Sequence, residues 1–130
     1  MANMNFLSHT IHPEPLEGSN SSNVWTFDLN KHYNWKMEAA DAATTIAIKN
    51  PHAGAAGTIC IKNSASVGSL TFALTTINDA GSTDDDLIKT PGGAAISFNT
   101  TGQNLHVINY YCFSTSFVLV NYIGNFSTQP

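Results

Sequence analysis

Residues 105–126 read Leu-His-Val-Ile-Asn-Tyr-Tyr-Cys-Phe-Ser-Thr-Ser-Phe-Val-Leu-Val-Asn-Tyr-Ile-Gly-Asn-Phe. β-branched and aromatic residues dominate both halves, as strands prefer, and Ser114-Thr115-Ser116 interrupts them. The pattern predicts two strands joined by a tight turn. In the second arm Phe117, Leu119 and Ile123 fall on one face, and Val118, Val120 and Tyr122 on the other. Both faces are apolar. A hairpin on the outside of a lone antiparallel sheet would turn one polar face to water. One face must therefore fill a core. The other needs a cover: a second sheet, a loop or another copy of the chain. Tyr110, Tyr111, Phe117, Val118, Val120 and Tyr122 are expected to divide between core and subunit contacts.

The same period of two recurs upstream. Trp25, Phe27 and Leu29 alternate with Val24, Thr26 and Asp28. After Asn30-Lys31-His32, the residues Tyr33, Trp35, Met37 and Ala39 alternate with Asn34, Lys36 and Glu38. The short connection predicts a hairpin. Ile46 with Ile48, then Ile59 with Ile61, mark strands on either side of the turn-rich stretch Asn50–Gly57. Leu70, Phe72 and Leu74 mark another, and Pro91-Gly92-Gly93 a firm turn. About eight strands and no convincing helix predict an antiparallel β-sandwich or jelly roll over residues 23–126. Residues 127–130 are a tail. Residues 1–22 read as an extended arm, with Pro13, Pro15 and the run Gly18-Ser19-Asn20-Ser21-Ser22. Its apolar residues Phe6, Leu7, Ile11 and Leu16 would not lie free in water without cost. They either fray with the terminus or anchor the arm on a partner.

Composition narrows the function. Charged residues make up 11% of the chain, against the usual quarter. The net charge is −4, with five lysines and no arginine. Arginine carries bidentate recognition of phosphate and guanine, and counterion release needs clustered cations, so direct nucleic-acid binding is not expected. No run approaches the roughly 18 apolar residues of a membrane helix. The start Met-Ala-Asn-Met-Asn-Phe-Leu lacks the basic and apolar regions of a signal peptide, so synthesis in a cytoplasm is expected.

No catalytic set emerges. The serines sit outside any Gly-x-Ser-x-Gly turn, and two of the three glutamates fall in the arm. His106, between Leu105 and Val107, is expected on the opposite strand face, toward solvent or a partner. His9 and His12 lie beside prolines and read as surface histidines. Asp84-Asp85-Asp86 lacks the spacing of a calcium loop and reads as a solvated loop. Cys60 and Cys112 lie in strand patterns without Cys-x-x-Cys spacing, and read as two small buried hydrophobes, or a disulfide if their strands are neighbours. The chain is therefore expected to be no enzyme, with no cofactor and no metal.

Four stretches together resemble a module of tailed-bacteriophage virion proteins. Val24–Ala39 opens it. Gly54, Gly57, Ile59 and Ile61 match its Gly-x-x-Gly-x-Ile-x-Ile strand. Lys89, Pro91, Gly92 and Gly93 match its Lys-x-Pro-Gly-Gly turn. Val107, Ile108, Tyr110 or Tyr111 and Phe113 match the next strand, and Asn125-Phe126 its close. The resemblance covers roughly residues 23–126. It implies an all-β unit that assembles as a homotrimer, found in capsid decoration (cement) proteins and in tail-fibre or tail-tip proteins. The single small domain, without shaft repeats, favours decoration. The partners implied are the chain itself and the major capsid protein, on the virion surface. The alternative is a tip that binds host glycans.

Overall fold

The structure is a computed structural model and describes residues 14–39, 43–63, 71–78, 80–96 and 105–126. Among the described residues the strands are β1 (Leu16–Glu17), β2 (Ser19–Ser21), β3 (Val24–Asp28), β4 (Trp35–Ala39), β5 (Ala43–Lys49), β6 (Ala56–Asn63), β7 (Thr71–Ile77), β8 (Thr83–Asp84), β9 (Ile88–Lys89), β10 (Leu105–Ser114) and β11 (Phe117–Phe126), with a 3₁₀ turn at Pro91–Gly93. They form two mixed sheets. The first has the order β1-β4-β6-β10-β11-β9 and the second β2-β3-β5-β7-β8. Both feed one core. Trp25, Phe27, Leu29, Ile46 and Ile48 enter it from the second sheet or the end of β3, and Trp35, Met37, Ile59, Ile61, Ile108, Val118 and Val120 from the first. The all-β, sandwich-like expectation holds. Among the described residues, no helix is long and apolar enough to cross a membrane.

The antiparallel part of that expectation is corrected. β3, β5 and β7 are parallel neighbours, and so are β4 and β6. Parallel strands need a crossover of a dozen or more residues, usually a helix. Here a strand of the opposite sheet fills that role, because consecutive strands β3 to β7 alternate between the sheets. The chain winds around its core. Val24 lies beside Thr45, and Trp35 beside Ile59, one winding later. The expected hairpin over residues 24–39 therefore does not form: Asn30-Lys31-His32 carries the chain across the core instead of back beside β3. Asp28 fixes that corner. Its Oδ1 accepts from the Asn30 amide at 3.0 Å and from Asn50 Nδ2 at 3.1 Å, tying one winding's turn to the next.

The start of the domain also differs from the expectation. Residues 1–13 lie outside the described residues, and with them Phe6, Leu7 and Ile11. From Leu16 onward, however, the arm is already paired. β1 runs parallel to β4, and β2 antiparallel to β3. Ser22 and Asn23 join β2 to β3 with φ of +51° and +64°. Positive φ at both central residues is the mark of the two-residue hairpin turn whose twist suits strands. Gly18 lets the chain pass from one sheet to the other, since a Cβ there would stand 2.5 Å from the Phe27 ring.

The hairpin at residues 105–126 forms as the pattern predicts, with β10 joined to β11 through Thr115-Ser116 and to β6 on its other side. The outermost strands of both sheets are only two or three residues long, a common way to blunt sheet edges.

Candidate functional site

The outer face of the first sheet divides in two. Its β4–β6 half carries Lys36, Glu38 and Lys62, with Lys62 and Glu38 paired at 3.7 Å on the surface. Its β10–β11 half is uncharged and mostly apolar, around a central pair of exposed amides, Asn109 and Asn121. Leu105, Tyr111, Phe113, Phe117, Leu119, Ile123 and Phe126 are all more than a third exposed there. From Leu105 to Phe126 no Asp, Glu, Lys or Arg occurs. The apolar side chains thus fall in two groups, Tyr111, Phe113, Phe117 and Leu119 toward the turn and Leu105, Ile123 and Phe126 at the other end.

Alternation explains which side chains reach this face. His106, Ile108, Tyr110, Cys112, Val118 and Val120 are buried, so their neighbours along the strands point outward. Two bulges modify the pattern. The ladder shifts between Cys112 and Ser114, leaving Phe113 unpaired, and opposite Val107–Ile108, leaving Ile123 unpaired. Bulges bend a strand and re-aim a side chain. Both bulge residues here are large, apolar and more than half exposed.

A groove of about 300 Å³ lies across the β10–β11 rungs, lined by Pro91, Asn109, Tyr111, Leu119 and Asn121 among others. Lys89 closes one end, and its Nζ stands 5.7 Å over the Phe117 ring. That position suits a cation–π contact.

Of the residues expected to divide between core and contact, Tyr110, Val118 and Val120 are buried, Tyr122 is half-buried, and Tyr111 and Phe117 are exposed. Leu16, from the arm, is 44% exposed on β1. His106 corrects the sequence reading. It is fully buried and faces Tyr122, whose hydroxyl lies 2.9 Å from Nδ1. Leu105 and Val107 had set the expected face, but on this strand they are the outward residues. Sequence reasoning also missed Phe113 and Ile123 as bulge residues, since a bulge leaves no mark in a period-two pattern.

The remaining candidate chemistry is plain. Asp84 Oδ1 accepts from the Asp86 amide at 2.9 Å, a local turn bond. Among the described residues no three His, Cys, Asp or Glu side chains are grouped to hold a metal ion. Cys60 and Cys112 are free, and they sit on opposite faces of the first sheet, Cys112 in the core. Burial pushes both thiols up, the reverse of what a nucleophile needs.

Tyr110 reaches through the core to the next winding, where its hydroxyl donates to the Tyr33 carbonyl. Desolvation first, then Cys112 and Tyr33 nearby, hold this hydroxyl far above its ordinary value of 10.0. Burial raises Tyr122 as well. These groups ionise at ordinary values once the chain unfolds. The stability they add is full below those values and is lost as pH rises through the tyrosine range. We expect the thermal midpoint to fall above about pH 10, with an onset in the cysteine range near pH 9. Tyr110→Phe should flatten that fall while lowering neutral-pH stability by about 1 kcal/mol. Thermal melts across alkaline pH check this, and a flat midpoint through about pH 11 would contradict it.

Compared with known proteins, this chain matches no family model, no curated sequence and no solved structure.

Proposed function

We propose that this chain is a structural protein that assembles with itself through the outer face of β10–β11. The observation that carries the reading is that face: seven large apolar side chains, no charge between Leu105 and Phe126, and a charged margin on β4–β6. Each aromatic side chain can bury about 150–250 Å². With these fractions still open, the face offers roughly 700 Å². Summed over the two groups that Asn109 and Asn121 separate, it approaches the ~800 Å² per partner of a standard interface.

The resemblance of residues 23–126 to phage virion modules narrows the proposal. We take the assembly as a homotrimer that decorates and stabilises the head shell of a tailed bacteriophage, in contact with the major capsid protein. On that reading the segment before β1, with Phe6, Leu7 and Ile11, reaches the shell. The competing reading is a tail tip that binds glycans, and a ring pair beside a pocket is what it would draw on. Tyr33 and His52 meet as tilted rings 6.1 Å apart, and Pro51, next to His52, lines a pocket shared with Asn50, Asn78, Asp84 and Thr115.

Native mass spectrometry of the full chain at micromolar concentration tests the assembly, with a trimer expected. A monomer there would overturn it. Copy number per virion separates the two locations: hundreds support decoration, and a few to tens support the tip.

A further inference from the structure

We propose that the Phe113 side chain is a knob that seats in the Pro91–Leu119 groove of a second copy of the chain. The inference rests on the self-assembly reading above and names the contact that would carry it.

Four observations converge. Phe113 is the unpaired residue of a bulge and is 69% exposed, the most open large apolar side chain among the described residues. Its ring meets Phe117 edge-on at 6.2 Å, which fixes its direction. A side chain this apolar, held outward rather than folded against the sheet, is arranged for a partner.

The groove is the matching feature. Pro91, Tyr111 and Leu119 give it apolar walls. Its volume of about 300 Å³ lies at the lower limit for small-molecule pockets, roughly 300–1,000 Å³, and suits a single inserted side chain.

Knob and groove are distinct patches of one protomer. Phe113 is not among the groove's lining residues, and it lies two positions beyond Tyr111, about 7 Å along the strand. Its ring packs beside Phe117 and does not line its own protomer's groove, so a Phe113 that fills the groove comes from another copy. A contact between two different patches closes into a ring, extends as an open filament, or is exchanged reciprocally across a two-fold axis.

Electrostatics permit the approach. The β10–β11 faces of both copies are uncharged, so no like charges meet across them. The one cation at the groove, Lys89, is held over Phe117 and donates to the Asp86 carbonyl.

The test is sedimentation equilibrium on four full-length chains: wild type, Phe113→Ala, Leu119→Ala and the double variant. A few side chains that fill a well-packed pocket carry most of an interface's binding energy, and the proposed contact makes Phe113 and Leu119 two of them. Each single substitution should therefore weaken association about tenfold or more. The double variant should be little weaker than the worse single, because both remove the same contact. Thermal midpoints should stay near wild type, since both positions are exposed. If Phe113→Ala associates like wild type, or if the two effects multiply as independent sites do, the knob does not occupy the groove, while self-assembly through the face still stands. If wild type itself is monomeric at micromolar concentration, both the contact and the self-assembly reading fall.

Discussion

A Val118→Asp chain is expected not to fold, and a Leu119→Asp chain to fold and remain monomeric. The two positions are adjacent on β11, yet Val118 is fully buried and Leu119 is 41% exposed. A carboxylate at 118 would enter the core beside Val120 and Ile88. Burying an unpaired charge costs several kcal/mol, comparable to the whole stability of a domain this size. At 119 the carboxylate stays in water, and Lys89, its neighbour across the parallel β9–β11 ladder, offers it a partner. The monomer is spared, but at the centre of an apolar contact the same charge must be desolvated. Association should weaken a hundredfold or more, in line with a loss of about 3 kcal/mol. Circular dichroism with a thermal melt reads the first variant, and native mass the second. If Leu119→Asp assembles as wild type does, the outer face of β10–β11 is not the contact.

This contrast was legible in the sequence because, between its two bulges, the β10–β11 hairpin keeps inward and outward residues in alternation. Two apolar faces on one strand required two covers, and the structure supplies the core as one of them. The parallel winding was not legible, for a physical reason. Ile46 with Ile48 and Ile59 with Ile61 are all core residues, yet they face one another from opposite sheets. A period of two reports that a side chain points inward, not which sheet it points from. Short connections then suggest hairpins by default, and the corner at Asp28 shows how one becomes a crossing instead. The β2–β3 hairpin escaped notice because Ser22-Asn23 adopts the double positive-φ turn without the glycine that usually announces it. His106 was misplaced by a rule that fails here: apolar neighbours are no guide to the inward face when both faces are apolar.

Gly57→Ala is expected to cost more stability than any other single-methyl change among the described glycines. A Cβ at this position would stand 1.9 Å from the Tyr33 carbonyl oxygen and 2.8 Å from the Tyr110 hydroxyl. Real contacts of this kind keep about 3 Å or more, and the nearest obstacle is backbone, which cannot swing aside. Relief requires moving the 29–34 corner away from β6. That motion strains three ties: the Tyr110 bond to the Tyr33 carbonyl, the Thr58 amide bond to Asn34 Oδ1 at 3.2 Å, and the start of the β4–β6 pairing at Trp35 and Ile59. Overpacking costs about 1–3 kcal/mol, and a lost buried bond about 1–2 more. A total near 4 kcal/mol corresponds to a midpoint lower by roughly 10–20 °C. Gly54→Ala is the control. Gly54 has φ of +86° but nothing within 4 Å of its missing Cβ, so it should show only the conformational penalty of about 1 kcal/mol. Tyr110→Phe isolates the hydrogen bond from the clash. If Gly57→Ala melts within a few degrees of Gly54→Ala, the close approach of Tyr33 to β6 does not hold the windings together. If it falls well below both controls, then one missing methyl at position 57 is what lets the chain cross between sheets and return in register, and so what places β6 where β10 can pair with it and turn its apolar face outward.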